Sequence, residues 1–159
     1  MERIMNGERI EKVRAYVDQV LLQMDDPVER RCAYIHLYGV AQACAMIAQK
    51  RKANVELAII AGMLHDIFSY KTMDHRNHAE KGAAMAKEIL NELESFHDSE
   101  VQIICDAIWH HSNKTGIHTS FAEILKDADV LQHYLYDPFF DVADPAKGRL
   151  GNLQKEFGL

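Results

Sequence analysis

The sequence predicts an all-α fold. Three features point there. Apolar residues recur every three or four positions through most of the 159 residues. Helix-start and helix-stop residues punctuate that pattern. No stretch alternates apolar and polar residues with the two-residue period of a half-buried strand.

The elements follow in order. Ile10, Val13, Val17, Val20, Leu21 and Met24 line one face of a first helix. In "DDPVER", Asp26 is placed as N-cap, Pro27 at the first helical position and Glu29 at the third, so a second helix starts there and runs to about Lys50. The basic run Lys50, Arg51, Lys52 then suits a helix C-terminus. Asn54 is placed to cap a third helix ending near Phe68, followed by a polar loop over 69–77. A helix is expected from His78 to Leu93, another from Asp98 or Ser99 to about His111, and a last strong one from Thr119 or Ser120 to just before Pro138. Pro138, Pro145, Gly148, Gly151 and Gly158 predict a largely irregular tail over 139–159. The aromatics of "HYLYDPFF" (Tyr134, Tyr136, Phe139, Phe140) are read as core packing or a contact between copies, with a base pocket as the alternative.

Composition bounds the function. The length fits a single domain over 1–159 with a real core. Hydrophobic residues at 48% and charged ones at 26% describe a globular chain. A net charge of −6 lacks the basic footprint of a nucleic-acid binder. No apolar run reaches the roughly 18 residues of a membrane span, and the N-terminus "MERIMNGERIEK" is charged too early for a signal-peptide core. Cys32, Cys44 and Cys105 are odd in number and widely spaced, which fits a reducing compartment. A cytoplasmic protein is expected, with homo-oligomerisation open.

The histidines carry the chemistry. At 100° per residue, His36 aligns with Cys32, Val40, Ala43 and Ile47, and His65 with Ala58, Ala61 and Gly62. His78 aligns with Gly82, Met85 and Ile89, and His111 with Ile104, Ala107 and Ile108. One such histidine reads as a hydrogen-bonded core residue. Four, joined by Asp66 inside the apolar run "ELAIIAGMLHDIF", need a common partner, because a buried carboxylate without one is costly. A shared metal ion supplies it, since imidazole and carboxylate are ligands of divalent metals. In "LKDADVLQHY" either Asp127 or Asp129 is the further acidic candidate, and periodicity does not choose between them.

The order His36, His65-Asp66, Asp129, carried by "GMLHDI" and "DADVL", resembles the HD domain superfamily of metal-dependent phosphohydrolases over roughly 27–138. The resemblance implies a helical HD bundle and selects Asp129 as ligand. "NHAEKGAAMAKEIL" and "AIWHHSNK" resemble segments that add histidines in two-metal members, implying His78 and His111, with His110 as a possible further ligand. The implied set is His36, His65, Asp66, His78, His111 and Asp129, with Asp66 as bridge and one or two divalent ions (Fe, Mn, Co, Ni, Zn or Mg).

The activity implied is hydrolysis of a phosphate ester or anhydride, of a nucleotide or related small molecule, with Asp66 and Lys114 as catalytic residues. Lys114 is the expected phosphate contact, whereas Lys71 and Arg76 read as solvated loop charges. A di-iron oxygenase with the same ligand pattern and a non-catalytic nucleotide-binding module are the competing readings.

Overall fold

The structure, a computed structural model, describes residues 6–139 and 141–159. The early charges Glu2 and Arg3, and Phe140 of the aromatic run, lie outside the described residues. Among the described residues, eight helices follow one another: α1 (Asn6–Leu22), α2 (Pro27–Lys50), α3 (Val55–Leu64), α4 (Ile67–Thr72), α5 (His78–Glu92), α6 (Asp98–His110), α7 (Ser120–Tyr136) and α8 (Asp144–Phe157). Among the described residues there is no strand, and no helix is long and apolar enough to cross a membrane.

The short α3 is the centre of the molecule. Seven of its ten residues are buried, in keeping with a helix whose one charged residue is Glu56 in its first turn. It packs against α1, α2, α6 and α7. Its N-terminus is fixed by Asn54, whose Oδ1 accepts from the Leu57 amide at 3.0 Å. The crossing with α2 is close: a Cβ on Gly62 would lie 2.7 Å from the Ala41 Cα. Only glycine lets the two backbones approach so far, and this brings the end of α3 alongside the middle of α2.

α2 starts as expected, with Asp26 Oδ1 accepting from the amides of Val28 (2.7 Å) and Glu29 (3.0 Å). It buries Ala33, Leu37, Val40, Cys44, Ile47 and other residues of the same face. α5 packs on α6, and α6 on α7. Thr119 caps α7 through the Ala122 amide.

Three expectations are corrected. The chain does not enter a loop at Ser69. It bends at His65-Asp66 and resumes as α4, which stops at Met73 in the left-handed region (φ 55°). Lys71 is therefore helical, and its Nζ donates to the Tyr16 hydroxyl at 3.0 Å. The cap of α6 is His97 rather than Asp98 or Ser99, with the His97 amide donating to Glu100 Oε2 at 2.9 Å.

The third correction is the largest. The tail over 139–159 is not irregular: Asp144–Phe157 forms α8. Pro145 falls in the first turn, where an amide has no intrahelical acceptor to lose. Gly148 and Gly151 each cost about 1 kcal/mol relative to alanine. Tertiary contacts offset that. Leu153 is buried, Lys50 Nζ donates to the Glu156 carbonyl at 2.6 Å, and Arg51 pairs with Glu156 at 2.8 Å. In the aromatic run Tyr134 packs against the core, whereas Tyr136 is exposed and Phe139 is 96% exposed, so core packing does not describe those two.

Candidate metal centre

Five elements deliver the predicted side chains to one place. His36 comes from the buried face of α2, and His65 and Asp66 from the bend between α3 and α4. His78 is the first residue of α5, His111 lies just past α6, and Asp129 lies inside α7. A Cβ on Gly82 would stand 3.2 Å from the His65 carbonyl, so α5 lies against the bend.

Asp66 occupies the middle. Its Oδ2 is 3.2 Å from His36 Nε2 and 3.3 Å from His65 Nε2. Its Oδ1 is 3.2 Å from His111 Nε2 and 3.6 Å from His78 Nε2. Asp129 Oδ1 is 3.5 Å from His36 Nε2 and 3.8 Å from His65 Nε2. The carboxylate of Asp66 thus faces one histidine pair with each oxygen. Although it sits at the N-cap position of α4, its side chain makes no capping bond, which leaves both oxygens for the cluster.

The tautomers are set from behind. His65 Nδ1 lies 2.7 Å from the Gly62 carbonyl, His111 Nδ1 2.6 Å from the Ile108 carbonyl, and His78 Nδ1 3.2 Å from the His75 carbonyl. His36 Nδ1 lies 2.8 Å from Gln132 Oε1. A carbonyl only accepts, so each Nδ1 carries the hydrogen and each Nε2 turns a lone pair inward. His36 Nε2 and His65 Nε2 then face each other at 3.1 Å. Two lone pairs at that distance repel unless a cation lies beside both.

Two carboxylate oxygens make the same demand. Among the described residues, Asp66 Oδ1 and Asp129 Oδ1 are buried without a hydrogen-bond partner. Burial alone would push the Asp66 carboxyl up, but His65, His111 and His36 hold it well below the ordinary range. Asp129 is likewise held down against its burial, by Lys114 first and then His133, His65 and His36. Burial lowers His36, yet Asp66 and Asp129 outweigh it and its pKa is raised. The donor set, the opposed lone pairs and the orphaned oxygens all fit divalent metal. His36–His65–Asp66 and Asp66–His78–His111 each bring three donor atoms within 4.8 Å of one another.

Other candidates lie elsewhere. His110 is outside these groups: its Nε2 is 3.5 Å from Asp106 and its ring stacks on His118 at 3.8 Å between centroids. Asp127 pairs with Arg51 (2.8 Å) and Arg149 (3.0 Å). Lys114 turns inward, its Nζ 2.6 Å from both Asp129 Oδ2 and the His111 carbonyl. Arg76 is 87% exposed and pairs with Asp74. Gln132 and His133, both beside His36, were not singled out from the sequence. Their signal is the helical spacing, three and four residues after Asp129.

The HD domain family matches residues 33–134, which contain all six converging side chains, and the chain belongs to that family. It is similar over 98% of its length to a solved structure from an uncultured Thermotogales bacterium, described as a predicted HD superfamily hydrolase. The identity is 26%, the TM-score 0.62, and 91% of that chain is covered. No curated protein matches.

Proposed function

We propose that the chain is a metal-dependent phosphohydrolase that cleaves a phosphate ester or anhydride of a nucleotide or related small molecule. One observation carries the reading: Asp66 presents opposite oxygens to two histidine pairs. Two ions would suit this arrangement: His36, His65, Asp66 and Asp129 would hold one, and Asp66, His78 and His111 the other. Divalent ions, when bound, activate water as a nucleophile near neutral pH and stabilise charge on phosphoryl oxygens.

The chain's own residues supply the rest. The four Nδ1 contacts hold the rings in orientation before substrate arrives. Lys114 is the cation nearest the cluster; released from Asp129 Oδ2, it would take a phosphate oxygen and keep that oxygen oriented. The family of the similar chain, described as a hydrolase, supports the same reaction class. Free Cys32, Cys44 and Cys105 support a cytoplasmic setting.

The test is elemental analysis of protein purified without a metal-affinity tag, with phosphate release from a nucleotide panel by wild type, Asp66→Ala and His65→Ala. Close to two ions per chain and turnover lost in both variants are expected. No metal after reconstitution, or unchanged turnover in both variants, rejects the proposal. Iron with oxygen uptake and no phosphate release would move the site to the oxygenase class.

A further inference from the structure

We propose that His133 is a seventh protein ligand, donating to the ion held by His36, His65, Asp66 and Asp129 from the solvent side; this rests on the metal reading above. His133 lies one turn after Asp129 on α7, so the two share a face. Its Nε2 is 3.5 Å from Asp129 Oδ1, the distance that also separates His36 Nε2 from that oxygen. Its ring centroid is 4.9 Å from the His36 ring, as is that of His65. A plain surface pair between residues four apart would need only Asp129. Here His36, Asp129 and His133 bring three donor atoms within 4.8 Å of one another.

The lone-pair count makes this trio part of the first ion's shell rather than a separate site. His36 belongs both to this trio and to His36–His65–Asp66. Its Nδ1 hydrogen is committed to Gln132 Oε1, which leaves a single lone pair, on Nε2. One lone pair serves one ion. The two trios therefore describe a single ion with donors on both sides of His36. Asp129 Oδ1, buried and without a hydrogen-bond partner, lies 3.5 Å from the Nε2 atoms of His36 and His133 and 3.8 Å from that of His65.

Exposure separates this donor from the others. The His133 side chain is 65% exposed, whereas that of His65 is fully buried. His133 can leave the ion without opening the core.

The experiment is Co²⁺ titration of the full chain, followed by calorimetry and visible absorption, for wild type, His133→Ala and His133→Gln. Both variants are expected to bind as many ions as wild type, with one held about tenfold or more weakly and its absorption bands altered. Unchanged affinity and spectrum in both variants would overturn the inference. A large change in His133→Ala alone, with wild-type behaviour in His133→Gln, would also overturn it, because packing rather than ligation would then be responsible. Wild type that binds one Co²⁺ would fail the two-ion reading, while the variants' spectra would still decide the role of His133. Wild type that binds none would end both.

Discussion

Helix α7 carries two buried polar clusters, and they differ in how completely they are satisfied. On one face, Asp129 and its histidine neighbours leave carboxylate oxygens without donors and lone pairs opposed. About a turn earlier, Lys126, fully buried, directs its Nζ to the Gly116 carbonyl (3.0 Å), Glu123 Oε1 (2.7 Å) and His118 Nδ1. Arg149 from α8 donates to the Lys114 and Gly116 carbonyls and to Glu123 and Asp127. Every donor of Lys126 is accounted for. A closed network of this kind is a strut, and an open one is a place for something else to bind. Composition does not separate them, since both are built from buried charged side chains; the difference lies in the unfilled valence.

Variants can break that contrast. The largest effect is expected for Asp66→Ala: phosphate release falls by about three orders of magnitude, as loss of a Lewis acid worth several kcal/mol implies, while circular dichroism is retained. Chelation comes next. Metal at a hundred times its Kd stabilises by about 2.7 kcal/mol, or roughly 5–10 °C in Tm for a chain of this size. Chelator should therefore lower the Tm of wild type and leave that of Asp66→Ala unmoved. An indifferent wild type, shown to lose its metal, would contradict the contrast.

The strut should answer differently. Arg149→Ala is expected to cost about 1–3 kcal/mol in urea denaturation, because Asp127 keeps Arg51 and Glu123 keeps Lys126. Metal content should not change. The smallest effect is in acid. Burial raises Glu123, but Lys126, the His118 amide and Arg149 bring its pKa from 4.5 down to about 2. A depressed carboxyl stabilises the fold above its unfolded value and loses that contribution as pH falls through the folded one. Glu123→Gln should be less stable than wild type at pH 7, with the gap closing between about pH 4.5 and about pH 2.

These two clusters were not equally legible in the sequence. His36, His65, His78 and His111 could be found because each rides an apolar helical stripe, and Asp66 because it is a carboxylate inside an apolar run; both signals are local. Asp129 could not be chosen over Asp127 by period, since both are buried and what separates them is the partner: histidines for one, Arg51 and Arg149 for the other. The strut was invisible for the same reason. α8 has glycines where a helix is weakest, and contacts with residues about a hundred positions away hold it in place. His133 sat one turn beyond Asp129 in plain periodicity, but only the approach to His36 gives it meaning.

The crossing at Gly62 has a consequence for inheritance. Every amino acid that a single-base missense change can place at that codon brings a Cβ, and a Cβ there would sit 2.7 Å from the Ala41 Cα and 2.9 Å from its amide nitrogen. The two backbones would have to part, and His36 and His65 would part with them. An allele altered at this residue, which offers no side chain to any ion or substrate, should behave genetically like the loss of a ligand.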